Sequence, residues 1–511
     1  MALDPTKVTK FSGPPGTGKS TTLLNVVDKL LTSGVAPEDV LFTTFTRAGA
    51  DEARNRACTR FNLPPGRFPY FKTIHSICYS LLPKREVMSW RDWREIGGQI
   101  GVYFSTAITP DEGVPRGHTK GDYLMSLWSL ARVLQQHPKD LFDNRDKYLM
   151  GFEDMEYIEL EHFIASVQAY KTSTAKIDFT DMLEEYLVRG PLISPRAAII
   201  DEAQDLSPLQ WQVIDKFCNG AAEIYVAGDD DQCIHAWNGA SVGHFINLAS
   251  DKYSVLPQSF RIPKLVHELA TTVVDRISDR LPKVYQPREE RGALHRTNDL
   301  YGMDLTKDTW LLLGRNISTL SDYAEYCMEQ GLLWVSQSVP GADPKVLEAI
   351  ATWKLVQLGE PVNVGRLQNL YKFMSQADRI TRGFKKRLDA VNPRDSLTHA
   401  QLVAHWGMLA PKHMRWPSAL DMLEPAASAF LEAVDRREGL TAKARIEIGT
   451  IHSAKGKEAD HVVLATDMSH KTYTGYETNP DAEHRVWYVG VTRARQSLTI
   501  LDPKTDRFYP L

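Results

Sequence analysis

The sequence predicts an α/β fold of parallel sheets flanked by helices, divided into more than one lobe, on three observations. The chain has 511 residues, several times the roughly 100–200 over which one domain usually forms. Residues 8–31, VTKFSGPPGTGKSTTLLNVVDKLL, read as a short strand, a glycine-rich turn and an amphipathic helix. Residues 196–205, RAAIIDEAQD, read as an apolar strand that ends in two carboxylates, the arrangement that open α/β sheets use at their ligand-binding edge.

The bulk composition narrows the class. A hydrophobic content of 43% with 24% charged residues is that of a folded globular chain, for which long disordered tails are not expected. No apolar run approaches the roughly 18 residues of a membrane span, and MALDPTKVTKFSG lacks the pattern of an export signal. The expected location is therefore the cytoplasm, at the nucleoid of a bacterium or in a phage-infected cell. Cys58, Cys78, Cys218, Cys233 and Cys327 form no C-x-x-C pair, which disfavours structural zinc, an iron–sulfur cluster or a disulfide framework. The formal charge is −4, so a polyanionic partner has to be held by a local basic surface.

The first strand–turn–helix carries the most specific chemistry. Gly13, four residues, then Gly18, Lys19 and Ser20 match the phosphate-binding P-loop in the strand-to-helix context its mechanism requires. Glycines let the backbone wrap a polyphosphate, and the helix N-terminus offers N–H groups to it. Lys19 then neutralises the β/γ oxygens and Ser20 ligates Mg²⁺. The expected nucleotide cradle is Gly13, Pro14, Pro15, Gly16, Thr17, Gly18, Lys19, Ser20 and Thr21. Asp201, at the end of the second strand, is the expected partner of Ser20 in holding Mg²⁺. Glu202 is the expected base that orients and deprotonates the attacking water.

Seven segments extend this reading along the chain: TTFTRAGADEARNRA (43–57), KTIHSICYSLL (72–82), DEAQD (201–205), GDDDQCIHAWNGA (228–240), LPQSFRIP (256–263), GTIHSAKGKEADHVVL (449–464) and VWYVGVTRARQSLTIL (486–501). In this order they resemble the motif series of superfamily 1 helicases of the UvrD/Rep/PcrA type. The resemblance implies two RecA-like lobes with ATP between them and single-stranded DNA across both. It further implies that Gln232 senses the γ-phosphate, and that Arg261 and Arg493 reach it from the second lobe as arginine fingers. Phe260 would stack on adenine and Glu458 would accept from the ribose hydroxyls. Phe45, His235 and Trp237 would stack on DNA bases, while Thr73, His75, Thr450 and His452 would touch the DNA backbone with Arg47 nearby. The chain departs from the family pattern at Lys457 and Ala459, where an apolar pair is usual, and at Asn238, where an arginine is common.

Domain organisation follows. The first lobe is expected at 1–84 and 176–255, interrupted by a helical accessory insertion at 85–175 that contains Trp90, Trp93 and Trp128. The second lobe is expected at 256–339 and 441–511, interrupted by an accessory insertion at 340–440. That second block carries Arg379, Arg382, Lys385, Lys386 and Arg387 close together, a run that suits a solvated helix face or a duplex-DNA contact equally. The resulting expectation is an ATP- and Mg²⁺-dependent DNA helicase that moves 3′ to 5′ on single-stranded DNA, unwinds at single-strand/duplex junctions by coupling hydrolysis to lobe closure, and works as a monomer. Two other readings share these motifs: a translocase that remodels DNA without processive unwinding, and a nucleotide-gated DNA-binding or loading factor.

Overall fold

The computed structural model describes residues 3–105, 119–149, 152, 154–437, 439–440 and 444–511. The chain divides into two compact units, one formed by 1–291 with 471–492 and the other by 292–470 with 493–511.

The sheet of the first unit has the strands β1 (Val8–Ser12), β2 (Val40–Thr43), β3 (Ala197–Ile200), β4 (Glu223–Gly228) and β5 (Lys252–Val255) in the order β2-β3-β4-β1-β5. Every pairing is parallel. Such a sheet is covered on both faces, and its inner strands read as continuous apolar runs for that reason. All four residues of β3 are buried. The strands β1, β4 and β3 are neighbours, with Ser12 opposite Gly228 and Ile200 opposite Val226. The loops that leave their C-terminal ends therefore emerge side by side. These are the glycine-rich loop after β1, the acidic pair after β3 and the Asp229–Asp231 run after β4.

Between β2 and β3 the chain builds a separate helical layer from Trp90–Ile100, Lys120–Leu134, Pro138–Asp143 and Tyr157–Thr174. Its own core contains Trp93, Phe104, Trp128 and Phe163, so two of the three tryptophans noted at 90–128 are packing residues, whereas Trp90 is exposed. Arg132 and Lys171 from this layer pair with Asp178 and Asp181 on the helix Phe179–Arg189 and its cap. The Trp128 ring lies 4.6 Å from each of these two cations.

The second unit has a six-stranded parallel sheet. Its strands are β6 (Ala293–Thr297), β7 (Trp310–Gly314) and β8 (Trp334–Val335), then β11 (Ile446–Thr450), β12 (Ala459–Ala465) and β13 (Ala494–Leu501), in the order β6-β13-β12-β7-β11-β8. The short antiparallel pair β9 (Val362–Asn363) and β10 (Ser396–Leu397) belongs to a helical block between β8 and β11. That block has its own core around Trp353, Leu367, Tyr371, Leu402 and Trp416. Within the basic run, Arg387 lies over the Phe384 ring at 4.6 Å and Arg379 donates to the Ser418 carbonyl at 2.8 Å.

One boundary differs from the sequence reading. Residues 256–291 pack with the first unit rather than the second, and the late segment 471–492 returns to join them. Side chains on the helix Pro480–Val491 and on 278–285 hold this arrangement together: Ser278 donates its amide to Asp481 at 3.0 Å, and the hydroxyls of Tyr285 and Tyr488 meet at 3.2 Å.

Candidate active site and nucleic-acid surface

The loop after β1 has the backbone its glycines allow. Gly16 and Gly18 sit at φ +72° and +78°, where a side chain is strained. A Cβ on Gly16 would also lie 2.3 Å from the Arg261 Cβ, and one on Gly13 would lie 2.0 Å from the Lys19 Cγ. Only glycine lets these two cations lie so close to the loop. Gly18 caps the helix Lys19–Thr32, whose free N-terminal amides are the electropositive end offered to an anion.

Lys19 folds back to donate to the Gly13 carbonyl at 3.0 Å and stands 3.6 Å from Glu202 Oε1. Ser20 Oγ donates to Asp201 Oδ2 at 3.2 Å. Burial, reinforced by the neighbouring Glu202 and opposed by Lys19, pushes the Asp201 carboxyl up to about 7. A buried carboxylate with a hydroxyl beside it and a raised affinity for a proton is a donor set that suits a divalent cation. The residues present therefore fit Mg²⁺, which Ser20 and Asp201 would hold.

Gln204 was not singled out by the sequence, although it lies within DEAQD. It is fully buried and connects two of the three loops. Its Nε2 donates to Glu202 Oε2 at 2.6 Å and to Asp205 Oδ2 at 3.1 Å, while its Oε1 accepts the Asp229 amide at 3.0 Å. Gly228 leaves the space for this, since a Cβ there would lie 2.6 Å from that oxygen. Asp229 Oδ2 in turn accepts from Gln232 Nε2 at 2.6 Å. A hydrogen-bonded path thus runs from Glu202 through Gln204 and Asp229 to Gln232. Glu202 itself adopts φ +54°, a left-handed conformation uncommon for its residue type, at the turn that starts this path.

Phe260 and Arg261, which the sequence reading assigns to the second lobe, fold with the first unit. The reason is local. Phe260 donates its amide to the Gly16 carbonyl at 2.8 Å and Ser259 Oγ donates to the Pro15 carbonyl at 2.8 Å, so both residues are tied to the glycine-rich loop. The Phe260 ring is 72% exposed, a bare aromatic face beside that loop.

Three rings gather where the loop after Gln232 meets the loop after β2. Phe45 and His235 stack with centroids 5.4 Å apart and 17° between planes, and Trp237 meets the His235 edge at 5.9 Å. All three are partly exposed, and Arg47 on the adjoining helix Arg47–Phe61 is exposed. Thr73 and His75 are not on this cluster in the same way. Thr73 caps the helix Ile74–Leu81 and is buried, and the His75 ring meets the Phe179 edge at 6.5 Å.

The remaining expected residues lie in the second unit. Arg493 is 1% exposed and donates to the Lys457 carbonyl at 3.3 Å. Glu458 pairs with Arg495, and Lys457 with Glu447. Thr450, at the end of β11, accepts the Ser453 amide at 3.3 Å, and His452 opens the short turn that follows.

A parallel sheet whose first strand runs through this loop into a helix, with a carboxylate pair at the end of β3, one strand removed from β1 across β4, defines the class as a P-loop nucleotide hydrolase. Comparison with known proteins makes it more specific. The sequence model of the UvrD/REP helicase N-terminal domain matches residues 3–253, and that of the UvrD-like helicase C-terminal domain matches 311–504. The chain belongs to the UvrD-like family of ATP-dependent DNA helicases. It is 22% identical to the putative ATP-dependent DNA helicase YjcD of Bacillus subtilis, over 98% of this chain and 78% of that protein. It is 22% identical to UvrD2 of Mycobacterium tuberculosis over 95% of this chain and 75% of that protein, and 24% identical to PcrA of B. subtilis over 54% and 39%.

Proposed function

We propose that this helicase moves 3′ to 5′ along single-stranded DNA and separates duplex at a single-strand/duplex junction, driven by ATP hydrolysis, and that it works as a monomer. Lys19 and the amides of the glycine-rich loop bind the polyphosphate, and Glu202 takes the proton of the attacking water. Mg²⁺ held by Ser20 and Asp201 would neutralise charge on the phosphate oxygens. Gln232, Arg261 and Arg493 answer to the γ-phosphate, Phe260 and Glu458 to the base and ribose. Phe45, His235 and Trp237 stack on bases, and Arg47, Thr73, His75, Thr450 and His452 hold the strand's backbone. The accessory-insertion limits at 84/85, 175/176, 339/340 and 440/441 are proposed with it.

One observation carries this reading. The path Glu202–Gln204–Asp229–Gln232 ends three residues before His235, whose ring stacks on Phe45. Hydrolysis and base stacking would then share one short loop, so a change at one end is felt at the other. The test is the ATPase rate of the purified chain with and without a single-stranded oligonucleotide. Stimulation by DNA that disappears in Lys19→Ala supports the reading, and a wild-type rate indifferent to DNA overturns it.

A further inference from the structure

The three carboxylates after β4 raise a separate question, because Asp229, Asp230 and Asp231 are all fully buried. Buried charges of one sign are tolerated only with opposite charges among them. Those charges come from 280–283. Lys283 Nζ lies 3.2 Å from Asp229 Oδ1, 2.5 Å from Asp230 Oδ1 and 2.9 Å from Asp231 Oδ2, and its side chain is 1% exposed. Arg280 grips Asp231 with two nitrogens, at 2.9 and 2.7 Å. Backbone contacts complete the hub: the Leu281 amide donates to Asp230 Oδ2 at 2.8 Å, and Arg485 on the helix Pro480–Val491 donates to the Asp230 carbonyl at 2.9 Å.

We propose that Lys283, seconded by Arg280, is a positioning residue for the loop that carries Gln232, His235 and Trp237. Asp229 is the element through which it acts. One carboxylate oxygen of Asp229 faces Lys283 and the Asp231 amide, and the other accepts from Gln232. Fixing the first oxygen fixes the orientation of the second, and with it the Gln232 amide. Burial pushes the Asp229 carboxyl up, with Lys283 acting against that push, so loss of the lysine favours a protonated Asp229 that is a poorer acceptor for Gln232. A buried ionic cluster contributes little net stability compared with well-packed apolar side chains. What this one specifies is direction, at the point where the nucleotide-facing and DNA-facing halves of the loop meet.

The inference rests on the reading of Gln232 as phosphate-facing and of His235 and Trp237 as DNA-facing. Its test is the ratio of ATPase rates with and without oligo(dT), measured on full-length Lys283→Gln, Lys283→Arg and Arg280→Gln. A purely structural role lowers the amount of active protein and scales both rates equally, leaving the ratio untouched. The expected result is a ratio reduced about fivefold or more in Lys283→Gln and about twofold in Arg280→Gln, with more than half of it restored in Lys283→Arg. Arg280 is partly exposed, so that variant decides the question should Lys283→Gln fail to fold by thermal melting. An unchanged ratio in the folded variants overturns the inference. A wild-type ratio of about one instead removes the functional reading beneath it.

Discussion

Gln204 donates to Glu202 Oε2 at 2.6 Å and takes the Asp229 amide on its own oxygen at 3.0 Å. A single buried amide thereby aligns the proposed base and the strand end that bears the phosphate-facing loop. Replacing it with alanine removes the Gln204 oxygen that accepts the Asp229 amide and the Gln204 amide that donates to Glu202. The expected outcome for Gln204→Ala is kcat lowered about tenfold or more with KM for ATP altered only a few-fold, because the nucleotide cradle is built from other residues. Steady-state ATPase kinetics check this, and an unaltered kcat contradicts it.

Gly16→Ala tests the cradle itself. The substitution meets both a left-handed φ and a Cβ position 2.3 Å from Arg261. Left-handed backbone alone costs an L-residue roughly 1–2 kcal/mol, and the clash displaces Arg261. Affinity for a fluorescent ATP analogue should fall at least about tenfold, while Gly34→Ala, also at positive φ but with nothing within 4 Å of its Cβ, should leave it unchanged.

Trp237→Ala tests the aromatic surface. A stacked base contributes about 1–3 kcal/mol, so affinity for a single-stranded oligonucleotide should fall between roughly 5- and 150-fold. Fluorescence anisotropy measures it directly. Loss of DNA affinity matched by an equal loss of DNA-free ATPase would mean that the ring only packs the loop.

His75 gives a pH signature. Burial, with Arg47 adding to it and Asp178 opposing it, pushes the imidazole down to about 4 from its usual 6.5. Between those two values the unfolded chain holds a proton that the folded chain refuses, so stability falls as pH drops from about 6.5 toward 4 and levels off below. The ring is only partly buried, which keeps this contribution on the order of 1–2 kcal/mol. His75→Asn should lose less melting temperature than wild type between pH 7.5 and 5, and equal losses would contradict the assignment.

How much of this was legible in the sequence depends on how local each feature is. The glycine-rich loop is readable because Gly13, Gly18, Lys19 and Ser20 act within eight residues, and the carboxylate pair because it ends an apolar strand. The helical layers were visible as patterning, and Trp93 and Trp128 do form a core. The partners of the acidic run were not visible. Lys283 follows Asp230 by 53 residues and Arg485 by 255, with no periodicity to join them. The structure pairs Asp230 and Asp231 with Lys283 and Arg280, and Asp229 with both Lys283 and Gln232. The placement of 256–263 beside the glycine-rich loop was hidden too, because it depends on backbone contacts of Ser259 and Phe260 that any side-chain pattern leaves unspecified.

A DNA motor of defined polarity reveals itself in strand displacement on three duplexes bearing a 3′ single-stranded tail, a 5′ tail or no tail. ATP-dependent separation of the 3′-tailed duplex is expected, with none in the absence of ATP or in Lys19→Ala, and little of the other two. Separation of the 5′-tailed duplex alone would reverse the polarity, and DNA-stimulated ATPase with no displacement of any substrate would contradict unwinding.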